Sequence, residues 1–344
     1  MTKTGRIAVI LFSMGGPDCL AAVKPFLFNI FNDYAMIRLP QPLRYFLAWY
    51  ISTKREKSAQ HTYSLMGGKS PLLENTLVQA QALENALGQP ENIKVFISMR
   101  YWMPFSIDTA RQVKLFNPDK IITIPLYPQW STTTSASSIA NWIEACKYIG
   151  LSKPTRNICC YPTMSGFIKT IVTHIRVKWN DTVSYGKPRI LFSAHGLPEK
   201  IINNGDPYQW QCESTARAIV SQLNVPDLDW VSCYQSRVGP LKWIGPETNH
   251  EIERAGRDKV PVILVPIAFV SEHSETLVEL DIDYRKLAER CGVPYYSRIQ
   301  TVGSSSFFID GLTSMVKTLL IDGSTLCSES GQRACPSSLS DCPL

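Results

Sequence analysis

Apolar, β-branched runs recur along the chain with helical patterns between them. The clearest are RIAVILFSM (6–14), IKVFISM (93–99), KIITIPLYP (120–128), NICCYP (157–162), RILFSAH (189–195), DWVSCY (229–234) and VPVILVPIAFV (260–270). Near-continuous apolarity suits strands covered on both faces, and alternation with helices predicts parallel α/β sheets. Two successive groups imply two α/β domains, each a parallel sheet of about four strands flanked by helices. The expected division is 1–160, then 161–322, then a tail at 323–344 rich in Ser, Gly, Pro and Cys and without helical or strand period. In such sheets ligands sit beyond the carboxyl ends of the strands. That directs attention to Met14 to Pro17, Arg100-Tyr101, Tyr127 to Thr134, His195 to Pro198, Gln235 to Gly239 and Ser271 to Glu275.

The segment SEHSETLVELDID (271–283) reads as a helix. At 3.6 residues per turn, Glu272, Glu275, Glu279 and Asp283 fall on one stripe, with no Lys or Arg three or four positions after the first three. Like charges so placed oppose the helix by roughly 0.2–0.5 kcal/mol per pair. The helix dipole excuses Glu272 and Glu275 in the first turn, and Asp281 has Arg285 at i,i+4. Glu279 has neither excuse. Leu277, Leu280, Tyr284, Leu287 and Cys291 form a separate stripe that docks the helix, so the carboxylates line an adjacent face, read as a wet channel for cations or protons.

Composition narrows the classes. Of 344 residues, 44% are hydrophobic and 19% charged, which describes a globular chain. A net charge of +6 without a basic block interleaved with aromatics does not favour nucleic acid. The longest apolar runs fall short of the ~18 residues that a membrane span needs. The start, MTKTGRIAVILFSMGGP, has a short apolar run with no small-x-small site and reads as a first strand entering a turn. On that reading a reducing, cytoplasmic setting is expected, where ten cysteines do not form a disulfide framework.

GGKSP (67–71) resembles the end of a phosphate loop, but Tyr63 stands where that motif needs its first glycine. No GxGxxG follows the first strand either, so no nucleotide is expected. His195 ends a buried strand just before Gly196 and Pro198. It is either a satisfied core residue or a base and metal contact, neutral imidazole being suited to an N–H proton. No HExxH spacing exists for a zinc hydrolase. Arg100-Tyr101-Trp102 and Lys54-Arg55 suit a flat anionic ligand, or are solvated basic positions. PQPLRYFLAWYI (40–51) is either core or a greasy lip for lipid or an apolar substrate. Cys327, Cys335 and Cys342 belong either to a flexible tail or, with a fourth thiol, to an iron–sulfur cluster.

Taken together, FSAHGLPEKIINNGDPY (192–208), YQSRVGPLKWIGP (234–246) and FVSEHSETLVELDIDY (269–284) closely resemble the ferrochelatase family. SMGGP (13–17), GGKSP (67–71), MRYWMP (99–104) and LYPQWSTTTSAS (126–137) extend the resemblance over roughly 6–310. It implies two Rossmann-like, chelatase-type domains with a cleft between them, and insertion of ferrous iron into a porphyrin with loss of two pyrrole protons. By the same resemblance His195 and Glu275 are catalytic and contact the metal. Glu272, His273, Glu279 and Asp283 match a proton or metal conduit, and Arg100 and Tyr101 the centre of the porphyrin pocket. Met14, Tyr63, Ser70 and Trp243 match other pocket positions, and Lys54 and Arg55 propionate-facing ones.

Met14 points to protoporphyrin IX, since coproporphyrin-using members tend to carry Tyr there. The lip at 40–51 points the same way and implies contact with the surface of the inner membrane. The tail cysteines look like the extension that holds a [2Fe–2S] cluster in some members. Thr132 stands where one group has its fourth ligand, so that ligand is sought among Cys159, Cys160 and Cys146. The rivals are a coproporphyrin-using member, a chelatase loading Co²⁺ or Ni²⁺ into another tetrapyrrole, and a non-catalytic metal or haem carrier.

Overall fold

The computed structural model describes residues 5–88, 91–237, 239–321 and 324–344. The expected domain boundary at 322–323 lies outside the described residues. The chain divides into two compact units: 1–127, 131–159 and 316–327 form the first, and 128–130, 160–315 and 328–344 the second.

The first unit is built on β1 (Ile7–Ser13), with helices α1 (Val23–Phe31), α2 (Gln41–Ser64) and α3 (Leu72–Leu87) before β2 (Ile93–Met99). Then follow α4 (Ser106–Phe116), β3 (Lys120–Pro125), α5 (Ser135–Ile149) and β4 (Thr155–Ile158). β1 pairs in parallel with β2 and with β3, and β3 with β4. Every residue of β1 is buried, which is why its sequence lacks alternation. Ala8, Ile10 and Phe12 on one of its faces pack with Phe96, Ile121 and Trp142. At the end of β1 the chain turns through Gly15 at φ +83°, a conformation that favours glycine. The turn leaves Ser13 O and Met14 O to accept from the N–H groups of Arg100 and Tyr101, each at 2.9 Å. The two residues after β2 are thereby fixed at the carboxyl edge of the sheet.

The second unit runs α6 (Ser165–Thr182), β5 (Arg189–His195), α7 (Glu199–Asn203), α8 (Tyr208–Leu223), β6 (Asp229–Gln235), α9 (Thr248–Asp258) and β7 (Val262–Pro266). A π-helix (Glu275–Asp283), α10 (Tyr284–Arg290), β8 (Tyr296–Arg298) and α11 (Ser306–Ile321) complete it, the last turns of α11 falling to the first unit. Its sheet is parallel in the order β6-β5-β7-β8. Leu191, Leu264, Ile252 and Leu280 centre its core.

The tail is more ordered than its composition implies. A short strand, β9 (Leu326–Cys327), pairs in parallel with β4 and makes the first sheet five-stranded. Beyond it, Asp341 donates its N–H to Gly205 O at 3.1 Å, and Asp341 O accepts from Trp130 Nε1 at 3.0 Å. The seven strands expected from apolar runs are all present, and β8 and β9 are the additions.

Candidate active site

In the second unit the carboxyl ends of β5 and β6 and the start of the π-helix meet. His195 closes β5, and Gly196 follows because a side chain there would crowd Gln235 O and the Trp243 indole. His195 Nδ1 lies 2.9 Å from Glu275 Oε2. The same oxygen accepts from Gln235 Nε2 at 3.2 Å and Ser236 Oγ at 3.1 Å. Ser193 Oγ donates to Gln235 Oε1 at 2.6 Å, which turns the amide so that its NH₂ faces Glu275. His273 is buried, with Nδ1 3.1 Å from Ser271 O and Nε2 3.8 Å from Glu275 Oε1.

Ser236 joins the two carboxylates of the π-helix. Its φ of +62° is unusual for a residue with a side chain. In this conformation its N–H reaches Glu279 Oε1 at 3.0 Å, while its Oγ lies 2.5 Å from Glu279 Oε2 and 3.1 Å from Glu275 Oε2. Tyr284 OH donates to Glu279 Oε1 at 3.1 Å.

The electrostatics separate the two carboxylates. Burial pulls His195 down, but the charge and hydrogen bond of Glu275, with the charge of Glu279, hold it above the usual histidine value. Burial raises Glu275, but the charge and hydrogen bond of His195, with those of His273, hold it well below the usual carboxylate range. Glu279 moves the other way: burial and the charge of Glu275 raise it, against the hydrogen bonds of Ser236 and Tyr284. Both directions strengthen the hold of an ionised Glu275 on the Nδ1–H of His195, which leaves Nε2 outside that bond. The His195 side chain keeps 39% of its surface accessible, so solvent screens the pair despite the dense surroundings.

The acidic stripe differs from the sequence expectation. The segment is a π-helix bonded i→i+5, so the arithmetic of 3.6 residues per turn does not hold there. Glu275 and Glu279 do converge, through Ser236. Glu272 precedes the helix and turns to Arg298 of β8, whose Nη1 lies 2.9 and 3.1 Å from its two oxygens; Thr301 N–H adds a bond of 2.9 Å. Arg298 also pairs with Asp281. Glu272 is therefore not unpaired. Asp283 is exposed at the end of the helix.

In the first unit, Arg100 and Tyr101 converge on Asp33, with Arg100 Nη2 at 2.7 Å and Tyr101 OH at 2.8 Å from Oδ2. Met14 directly follows β1, and its O accepts from Tyr101 N–H at 2.9 Å. Tyr63 is buried against Val23 and Leu27, and Ser70 N–H donates to Pro17 O at 2.8 Å. Lys54 and Arg55 are exposed on α2, lying over the rings of Tyr50 and Phe31 at 5.8 Å each. The start of α2 leaves Leu43, Tyr45, Phe46, Trp49 and Tyr50 exposed, Phe46 to 67%. No helix among the described residues is long and apolar enough to cross a membrane.

Cys327, Cys335 and Cys342 are all buried. In the second unit, Gln211 Nε2 lies 3.1 Å from Cys335 Sγ and 3.5 Å from Cys160 Sγ. Burial first, opposed by the Gln211 hydrogen bond and aided by Cys342 and Cys160, pushes the Cys335 thiol up to about 12. Among the described residues no set of three or more His, Cys, Asp or Glu side chains is arranged to hold a single metal ion.

The ferrochelatase family profile matches residues 6–320. The chain is 48% identical to the ferrochelatase of Rickettsia bellii over 98% of its own length and 94% of the relative's. It is 50% identical to that of Caulobacter vibrioides over 99% and 98%. This chain belongs to the ferrochelatase family. Among solved structures, SirB from Bacillus subtilis with Fe³⁺ superposes with a TM-score of 0.53 at 12% identity, covering 91% of this chain and 94% of that one. At that identity the likeness concerns the fold, which is that of the chelatases. Beside the residues matched by the ferrochelatase motifs, the structure adds Gln235, Ser236, Asp33, Arg298 and Gln211. Ser236 was open to reading, since it lies in YQSRVGP just past β6. Gln235 lies in the same motif at the end of β6, whereas Asp33, Arg298 and Gln211 carry no local signal.

Proposed function

We propose that this chain is a metal chelatase that inserts Fe²⁺ into protoporphyrin IX, releasing two pyrrole protons and forming protohaem. The observation that carries the reading is the His195–Glu275 pair at 2.9 Å, backed by Glu279 through Ser236. A neutral imidazole whose Nδ1–H is held by a carboxylate presents Nε2 to a pyrrole N–H, and the carboxylate offsets the charge that forms. His195 and Glu275 thus serve as proton acceptor and metal contact, and His273 buttresses Glu275. Glu279, with its raised affinity for protons, is the next station outward. Glu272 is committed to Arg298, and Asp283 stands beyond the hydrogen-bonded line.

Arg100, Tyr101, Met14, Tyr63, Ser70 and Trp243 are assigned to porphyrin contact, and Lys54 and Arg55 to its propionates. Met14 supports protoporphyrin IX over coproporphyrin III, an apolar side chain tolerating vinyl edges better than further carboxylates. Comparable or faster turnover of coproporphyrin III by the purified protein would reverse that choice. The exposed aromatic start of α2, followed by Lys54, Arg55 and Lys57, supports contact with an anionic lipid surface. Co-sedimentation with anionic vesicles, lost in Phe46→Ser/Trp49→Ser, is the check.

The thiols of the second unit, Cys335, Cys342 and Cys160, support a [2Fe–2S] cluster. Gln211 directs its NH₂ at two of these sulfurs, and a buried thiol that resists ionisation is deprotonated when metal binds. Cys160 is preferred over Cys159 and Cys146 because it shares that amide with Cys335. Such a cluster supplies electron-transfer or redox-sensing chemistry. Visible absorption of anaerobically purified protein, lost in Cys335→Ser, is expected. Colourless, iron-free and active protein would end this reading.

A further inference from the structure

Asp33 follows α1 with only 7% of its side chain accessible. Three donors meet at its Oδ2: Arg100 Nη2 at 2.7 Å, Tyr101 OH at 2.8 Å and Ser137 Oγ at 2.6 Å. Oδ1 accepts from Ala35 N–H at 2.9 Å. Ser137 Oγ also accepts from Arg100 Nε at 2.8 Å, so the guanidinium is held along one edge. The Tyr101 phenol, raised by burial and then by the charge of Asp33, stays a donor. Its ring lies 5.0 Å beneath the guanidinium.

A guanidinium whose charge is met by a buried carboxylate is a poor receptor for a second carboxylate, because the new anion would face Asp33 as well. We propose that Asp33 is a specificity-determining residue: by taking up the charge of Arg100 it makes this wall a hydrogen-bond donor on an aromatic face, and disfavours porphyrins with extra carboxylates. The inference rests on the assignment of Arg100 and Tyr101 to porphyrin contact. It explains how a chain with an arginine at that position selects a dicarboxylate porphyrin over a tetracarboxylate one, which Met14 alone, contributing only apolar surface, does weakly.

The test compares wild type, Asp33→Asn and the charge-neutral double variant Asp33→Asn/Arg100→Gln. Each is assayed for Fe²⁺ insertion into protoporphyrin IX and coproporphyrin III, and the Kd of each metal-free porphyrin is read by fluorescence quenching. Asp33→Asn frees the guanidinium and is expected to raise the coproporphyrin-to-protoporphyrin ratio of kcat/KM by about tenfold, mainly through the coproporphyrin Kd. The double variant, uncharged like the native pair, is expected to return within about twofold of the wild-type ratio. An unchanged ratio in folded Asp33→Asn overturns the proposal. So does a tenfold fall of the ratio in the double variant, since Arg100 would then have worked as a counter-ion. If Asp33→Asn does not fold, the double variant against wild type decides alone. Wild type that binds porphyrin but inserts no iron would overturn the proposed activity, while the Kd comparison would still decide the role of Asp33.

Discussion

Glu275 receives His195, Gln235 and Ser236 on one oxygen and faces His273 with the other, so everything around it favours the anion. Glu279, two hydrogen bonds further along, is pushed toward the protonated form by burial and by Glu275 itself. On the proposed function, two carboxylates held apart in this way divide the labour, Glu275 stabilising charge and Glu279 relaying protons onward from His195. Glu279→Gln is therefore expected to slow metallation by roughly tenfold or more, with porphyrin Kd unchanged. An unchanged rate in steady-state assays would remove Glu279 from the path. Glu272 makes a different prediction. Burial raises it, but Arg298 and the bonds of Thr276 and Thr301 hold it below the usual carboxylate value. A carboxyl with a lowered folded pKa contributes stability above its unfolded value of about 4.3, and loses it as pH falls through the folded one. Glu272→Gln lacks that contribution, so the gap in unfolding free energy from wild type should be widest near neutrality and close below about pH 4. Urea titrations at several pH values measure it.

At the level of elements, the seven main strands were legible because burial on both faces leaves an unbroken apolar run. β8 and β9 were not, being three and two residues long and without room for a pattern. The π-helix escaped for another reason. Leu280, Tyr284 and Ala288 continue an α-like apolar stripe into α10, and nothing local marks the wider turns before it. Its tertiary surroundings, with Ser236 bonded to both carboxylates, hold it there. Close helix packing is testable where a glycine is required: a Cβ on Gly166 of α6 would lie well under 3.0 Å from Phe307 O of α11. Gly166→Ala is expected to destabilise by about 1–3 kcal/mol, read from denaturant midpoints. A midpoint equal to wild type would show that the helices part without cost.

For the whole molecule, the residues legible in advance were those at strand ends within long motifs, such as His195, Arg100 and Glu275. Their partners were illegible because they come from distant chain. Asp33 reads as an ordinary residue after a helix until Arg100, Tyr101 and Ser137 are brought to it across 67, 68 and 104 positions. Gln211 is one polar residue of α8 until Cys335 arrives from 124 positions away. The tail looked structureless because its order comes from pairing and docking, not from its own period. The candidate residues at the ends of β5 and β6 and in the π-helix are thus recognisable in sequence, whereas the distant partners that contact them are not. The most direct measurement is Fe²⁺ insertion into protoporphyrin IX by purified wild type and His195→Ala, with porphyrin Kd read alongside. Wild type should form protohaem, and His195→Ala should bind porphyrin within a few-fold of wild type yet insert iron at least about a hundredfold more slowly. Protohaem formed by His195→Ala at the wild-type rate would contradict the assignment of His195 as the proton acceptor.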